Sequence, residues 1–370
     1  MNASETRVRV ENGAAALVTL LETLPADMRG TAFQHPAWVR SWLATDGRAE
    51  RRIVALVVDC AETGRPLMVL PLTRDTYGPA HCWVPLDFGV SDYNGTLTAP
   101  DFRPSPAEMR ALWRRMTAAL PNEASFLYID KVAGDIGGRL EPLAALGRVR
   151  RSHVMRHPLR LDADYATLRD TRFCQTNVRS LARKRRKLGR KGRLEFHVAT
   201  GPQASGILEQ VMAWRGERYA DQPITTDFYR RLIAAGDPAR VVWLSLDGRP
   251  ISAGFGVIEP KAFRLLAIGH DDAFKNWSAG QLVVEDAIAW AIENGLEEFD
   301  FTIGSEAYKF AFGVTPEPLW LVAENFGPHG SAMLHLLLAR NLAAAKLKRW
   351  IARHGRGKRE AKADAEAATG

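Results

Sequence analysis

The stretch DFTIGSEAYKFAFG, residues 300–313, places Asp300, Glu306, Tyr308 and Lys309 within ten positions. Two carboxylates, a phenol and an amine are the groups from which proton transfer and stabilisation of a developing negative charge are assembled. In EEFDFTIG, alternation assigns Phe299, Phe301 and Ile303 to one face of a strand and Asp300 and Thr302 to the other. Gly304 then permits a sharp turn that returns Ser305, Glu306, Tyr308 and Lys309 to the strand end. The competing reading is a plain polar loop, in which Asp300 caps a turn, Tyr308 packs with Phe310 and Phe312, and Lys309 is solvated.

A second group of residues points to anion binding. SAGQLVVEDAIAWAIENG reads as a helix entered at Ser278, with Gln281 at capping-box spacing and Asn294-Gly295 as its stop. Its first free N–H groups, near Gly280 and Gln281, carry the positive end of the helix dipole, and Ala279 and Gly280 are small enough for a phosphate to approach. Lys275 lies just ahead of it. The same residues also describe a capped helix with no ligand. Between Arg179 and Arg193 there are nine basic residues and no acid, and without that stretch the +8 chain carries −1. Its apolar stripe (Val178, Leu181, Ala182, Leu188) is thin, so Arg179, Arg183 and Arg186 face water or a polyanion. In DFGVSDYNG, residues 87–95, Asp92 and Tyr93 suit either a cleft lining or ordinary turn chemistry. His153 and His157 alternate with Met155 and Leu159 as in a strand, where four residues span about 13 Å, so no metal site is expected.

Positioning these groups requires an α+β order. HPAWVRSWLAT predicts a helix with Trp38 and Trp42 on one face, and RRIVALVVDC and RPLMVLPLT a hairpin. Residues 105–120 read as helix and SFLYIDKV as strand. After the cationic helix come helices over 204–220 and 227–235, then the strands RVVWLSL, PISAGFGVI and AFRLLAIG, the first two joined through Asp247-Gly248. EEFDFTI and LWLVAEN supply two more strands, and 331–353 a leucine-rich helix with a basic end. The remaining tail is polar.

Residues 176–313 resemble the FemABX-like and CelD-type branch of the GNAT acyltransferase superfamily. The resemblance rests on RSLARKRRKLGRKGRLEF, on LSLDGRPISAGFGV and on WSAGQLVVEDAIAWAIENGLEEFDFTIGSEAYKFAFG, with TAFQHPAWVRSWL similar to that family's opening helix. It implies two tandem GNAT-like lobes, each a mixed, mainly antiparallel sheet flanked by helices: 1–150, then 151–330 with the acyl-donor site, followed by a basic helix and tail over 331–370. The implied activity is N-acyl transfer, as an acetyltransferase, from acetyl-CoA or another acyl-CoA to a small-molecule or saccharide amine. Ser278, Ala279, Gly280, Gln281 and Lys275 would then hold the donor. Asp300 or Glu306 would relay the amine proton, Tyr308 would protonate the leaving thiolate, and Lys309 would stabilise the oxyanion. The family's Q/R-x-x-G-x-G/A loop is met here by KNWSAG, which matches at Gly280, with Lys275 standing for the basic residue. Two other readings stay open: a tRNA-dependent aminoacyl transferase of FemABX type that uses the 179–193 helix for the nucleic acid, and a non-catalytic accessory of polysaccharide or cell-envelope assembly.

Composition narrows the class further. At 46% hydrophobic and 25% charged, the 370 residues describe a globular protein with ample core. No run approaches the roughly 20 apolar residues of a membrane span, and the acid-spotted amino terminus makes a poor signal peptide, so a cytoplasmic protein is expected. Cys60, Cys82 and Cys174 form neither a disulfide framework nor a thiolate metal site, and no Gly-x-Ser-x-Gly elbow indicates a hydrolase. The basic cluster from Arg340 to Arg359 suits peripheral contact with an anionic membrane, or a helix packed on the body with its lysines outward.

Overall fold

The apolar runs pair into one thirteen-stranded sheet in the computed structural model. It describes residues 5–45, 52–87, 89–136, 138–146, 150–216, 223–259 and 261–343. The first half contains β1 (Thr6–Asn12), α1 (Ala14–Thr23), α2 (Pro36–Thr45), β2 (Ile53–Cys60), β3 (Pro66–Tyr77), β4 (Ala80–Pro85), β5 (Leu97–Thr98), α3 (Pro106–Ala119) and β6 (Phe126–Val132). A short pair, β7 (Asp135–Ile136) and β8 (Arg139–Leu140), leads to β9 (Arg150–Arg160), α4 (Tyr165–Arg172) and α5 (Gln175–Gly189). The second half repeats the plan with β10 (Leu194–Ala199), α6 (Ser205–Gly216), α7 (Pro223–Ala234), β11 (Ala239–Leu246), β12 (Arg249–Glu259), β13 (Ala262–His270), α8 (Ala279–Glu293) and β14 (Glu298–Ile303). The short helix α9 (Ala307–Phe310) and β15 (Glu317–Asn325) follow, and α10 runs over 328–343.

Each half is an antiparallel meander whose last strand is joined in parallel, across a helix, to the next: β4 to β6 through α3, and β13 to β14 through α8. The sheet order is β1-β2-β3-β4-β6-β15-β9-β14-β13-β12-β11-β10, so the halves meet through exchanged strands. β15, from the end of the chain, pairs with β6, while β9 pairs with β14. The two lobes also share a defect. In β6, two residues between Ile129 and Val132 oppose one on β15, and in β14 two residues between Asp300 and Ile303 oppose one on β9. Each bulge carries a non-glycine residue in the left-handed region, Lys131 at φ 60° and Thr302 at φ 57°. A bulge turns the following side chain to the other face. This corrects the simple alternation expected of EEFDFTIG: Phe299 and Phe301 pack beside α8, whereas Ile303 packs into the core on the opposite face.

That opposite core is common to both lobes. α1 and α2 bury Leu17, Leu20, Trp38 and Trp42 in one cluster with Phe228, Leu232 and Tyr229 of α7. Trp38 meets Phe228 edge-on at 4.7 Å and Phe33 at 4.8 Å, each such pair adding about 1 kcal/mol beyond area burial. On the other face α3 covers the first half, and α4, α5 and α8 cover the second. α7 begins at Pro223, earlier than residue 227. α10 packs Leu334 and Leu337 onto β4 and β6 and leaves Leu336 and Leu342 exposed. The expected basic end, from Lys346 onward, lies outside the described residues.

One buried acid reports on this packing. Glu141 is 0% exposed and accepts from the Thr96 N–H and hydroxyl through Oε1, while Oε2 has no partner among the described residues. Burial pushes its carboxyl up to about 8, so the folded state holds a proton that the unfolded state has released above its ordinary value of 4.5. Its contribution is therefore fully present below about pH 4.5 and is lost as pH rises through about 8. Glu141→Gln should match the wild type near pH 4.5 and melt above it at pH 9, with a flatter Tm–pH curve, read by circular dichroism.

Candidate active site

The parallel pairing of β13 with β14 holds only at Ala262–Glu298, Phe263–Phe299 and Arg264–Asp300. Beyond Arg264 the bulge turns β14 away, and Thr302 Oγ1 makes a single bridge to the Leu265 carbonyl at 3.2 Å. β13 has its own irregularity: Phe255 and Gly256 on β12 are consecutive, yet oppose Ala267 and Leu265, leaving Leu266 as the extra residue. The strands thus part into a wedge, and from Ala267 to His270 β13 is paired with β12 but not with β14.

The wedge opens toward the start of α8. Ser278 is left-handed at φ 54° and its side chain does not cap the helix, which corrects the capping box expected from Ser278 and Gln281. Its Oγ instead accepts from Lys184 Nζ of α5 at 2.6 Å. The first helical bonds are those of the Gln281 and Leu282 N–H groups to Ser278 O, so the N–H groups of Ala279 and Gly280 precede them and point ahead of the helix. The first turn carries no acid. Gln281 Oε1 is buried without a partner among the described residues. The equivalent helix α3 is closed by its own residues, because Ser105 and Glu108 form a complete capping box. A dipole end already answered by a carboxylate is a poor anion site; the α8 end is a good one.

α5 is fastened to α8 by Arg185, which reaches Asp286 at 2.7 Å and Glu285 at 3.0 Å. Lys191 sits over the Trp277 ring at 5.3 Å, and Lys275 is exposed on the turn before α8. Arg179, Arg183 and Arg186 are exposed, and with Arg190 they share one helix face. Lys184 is the member of the run that reaches the α8 terminus, and sequence spacing did not single it out.

The turn after β14 returns as expected, with Gly304 at φ 94°, but it gives Lys309 another task. Only 4% exposed, Lys309 donates to the carbonyls of Phe301 at 2.8 Å, Ile303 at 2.7 Å and Gly304 at 3.1 Å, and pairs with Glu306 at 2.9 Å. An ammonium group has three hydrogens, and these three carbonyls take them. Lys309 therefore locks the turn and has no hydrogen left for an oxyanion. Tyr308 packs its ring against Phe301 at 6.1 Å.

Asp300 is likewise committed to structure. It is 0% exposed; Oδ2 accepts from Arg264 and from the Tyr93 hydroxyl at 2.7 Å, and Oδ1 accepts from the Thr302 N–H at 2.8 Å. Arg264 also donates to Glu259 at 3.0 Å and lies over the Tyr93 ring at 4.9 Å. Arg156 of β9 joins Glu298 at 3.3 Å and Glu317 at 2.6 Å. Burial, then the Asp300 charge, raises the Tyr93 phenol well above its ordinary range, so it stays a donor. Burial, reinforced by Asp300, also raises Glu298. Arg156, Arg264, Glu259 and Glu298 were not singled out in sequence; charged residues inside otherwise apolar strands were the available signal.

Two ionisable groups remain beside the bulge. Asp92, brought from the first lobe by the loop after β4, lies beside the Thr302 side chain, and burial pushes its carboxyl up to about 6. The neighbouring Lys131 pairs with Asp87 at 2.5 Å; burial is the largest influence and opposes its charge, but Asp87, Asp92 and Asp130 together outweigh it and raise the pKa. His157 Nδ1 lies 3.1 Å from the Thr302 carbonyl, which can only accept, so Nδ1 carries the proton and Nε2 the lone pair. Burial is the main cause that lowers the His157 pKa and keeps the ring neutral. No group of three or more metal-ligating side chains occurs among the described residues.

Residues 176–310 match the family described as an acetyltransferase (GNAT) domain. The chain is similar in fold to FemX, with a TM-score of 0.57, 13% identity, and coverage of 85% of this chain and 96% of that one. A conserved protein of unknown function from Bacteroides thetaiotaomicron VPI-5482 gives 0.53 and 13%, over 85% and 99%. No curated protein matches. Residues 176–310 thus match a GNAT acetyltransferase domain, set within a two-lobed fold similar to that of FemX.

Because Asp300 balances two buried guanidinium groups, Asp300→Ala should destabilise the protein by about 3–5 kcal/mol in urea unfolding. A loss under 1 kcal/mol would show that the buried network is not a stabilising unit.

Proposed function

We propose that the protein moves an acyl group from an acyl-CoA, acetyl-CoA in the simplest case, to an amine acceptor at the β13–β14 wedge. The observation that supports this most is the wedge ending at an uncapped, acid-free helix start, with Lys184 anchored beside it. CoA supplies a thioester whose carbonyl carbon the acceptor amine attacks while the thiolate leaves. The residues fit such a donor: the Ala279 and Gly280 N–H groups and Lys184 suit a phosphate, and Gln281 Oε1, without a partner among the described residues, suits an amide N–H. A main-chain N–H on the β13 edge that β14 leaves unpaired would suit the developing oxyanion. Asp92 is the base that takes the amine proton, since a carboxyl near 6 is ionised at neutral pH yet basic enough to accept. Lys309, Glu306 and Tyr308 act as positioning residues that fix the turn bounding the wedge.

A second reading has its own observation. The exposed face of Arg179, Arg183, Arg186 and Arg190 suits the phosphates of an aminoacyl-tRNA donor. It requires binding that falls steeply with salt and activity that ribonuclease abolishes.

Calorimetric titration with acetyl-CoA should show one saturable site in the wild type. A Cβ at Gly280 would make only ordinary contacts, 3.4 Å to His270 and 3.6 Å to Ile268, so Gly280→Ala should fold and bind. Gly280→Leu, filling the approach, should abolish the heat. Absence of heat from folded wild type would move the donor to aminoacyl-tRNA. With an acceptor in hand, Asp92→Asn should lower kcat/KM by about 10²- to 10⁴-fold and remove the acid limb near pH 6.

A further inference from the structure

Two adjoining cavities lie on the sheet face opposite α8, where the lobes meet at the starts of β13 and β14 rather than at their ends. The larger, of about 590 Å³, has walls that include Leu21, Leu24, Met28, Leu97 and Ile258. The smaller, of about 310 Å³, is lined by charge, including Arg29, Arg139, Arg156, Arg160, Lys261 and Arg264. Arg29 and Glu259 border both, so a mainly apolar chamber and a polar one adjoin across these two side chains.

Six basic and four acidic side chains line the polar end, and although Asp300 and Glu317 behind the wall bring the sum to zero, the acids are gathered around Arg156, Arg160, Lys261 and Arg264 and not around Arg29 or Arg139. Glu259 is answered by Arg264 and by the Ala32 N–H, Glu298 by Arg156 and Arg160, and Glu297 by Lys261. Behind the wall Asp300 and Glu317 are answered by the same arginines. Asp135 accepts from the Gly138 N–H and lies 4.0 Å from Arg156. Arg139 donates to the Pro100 carbonyl and has no ion pair among the described residues. Arg29, at the junction of the two chambers, is exposed, and its guanidinium has no ion pair among the described residues. A site of this size with an apolar body and one convergent charge is of the kind that holds a small ligand.

We infer that this compartment binds an amphiphilic anion, a molecule with an apolar chain and a phosphate or carboxylate head. The chain fills the chamber under Leu24, Met28 and Ile258, and the head lies against Arg29 with Arg139 behind it. The site is separate from the α8 terminus and does not depend on which acyl donor the wedge accepts.

The test uses the full-length protein and dodecyl phosphate below its micelle concentration, titrated calorimetrically beside inorganic phosphate and dodecyltrimethylammonium. Dodecyl phosphate should bind at one saturable site, at least tenfold tighter than either comparison probe. Arg29→Glu, an exposed substitution, should weaken it at least tenfold. Ala26→Trp, which narrows the apolar chamber from an exposed position, should weaken it without altering circular dichroism. Equal affinity for the cationic amphiphile would overturn the inference, as would phosphate binding as tightly as dodecyl phosphate. No saturable binding, or binding indifferent to both substitutions, would also overturn it.

Discussion

The carboxylate of Asp300 is wholly buried, and its environment sets much of the surrounding architecture. It takes the Arg264 guanidinium, the Tyr93 hydroxyl from the other lobe and the N–H of the bulge residue Thr302. An ion in a low-dielectric interior tolerates few arrangements, because each missing partner leaves a charge that burial penalises severely. The cluster therefore fixes the position of β9 against β14, the loop carrying Tyr93 against the sheet, and the point at which β14 departs from β13. Its net effect on stability relative to an apolar core is modest; its effect on which geometry is allowed is large.

From that point the two lobes diverge in use while keeping one frame. Both contain the same bulge with a left-handed residue, and both place a helix after the fourth strand of the meander. In the first lobe the bulge residue is Lys131, held by Asp87, and the helix that follows the meander is capped by its own glutamate. In the second lobe the bulge residue is Thr302, and the helix start has neither cap nor acid. The difference lies in a few side chains at corresponding places. It leaves the helix start capped in one lobe and without cap or acid in the other, while Asp92 of the first lobe comes beside Thr302 of the second.

The cationic helix α5 serves both of these ends. Arg185 fastens it to α8, Lys184 turns toward the helix start, and its remaining arginines stay in water. Mutual repulsion along such a run is reduced wherever a carboxylate or a bound anion lies opposite. Asp286 and Glu285 do this on the inner face.

Local sequence determined the elements. Alternation and helical spacing located the hairpin of β2 and β3, helices α2, α3 and α5, the three-strand meander with its Asp247-Gly248 turn, and the strand–glycine–turn at 298–310, because these patterns follow from backbone geometry within a few residues. The same local logic failed where a distant partner outcompeted a near one. Ser278 does not cap its helix: its backbone is left-handed instead of extended, and its hydroxyl accepts from Lys184, 94 residues away. Ile303 changes face because the bulge opposes two residues to one. Lys309 has its hydrogens occupied by carbonyls that only the folded turn gathers. The exchange of β9 and β15, the pairing of Arg156 and Arg264 with Asp300, and the approach of Asp92 to Thr302 join residues far apart in the chain. Periodicity carries no information about such pairs, and burial together with charge balance in the assembled sheet decided them.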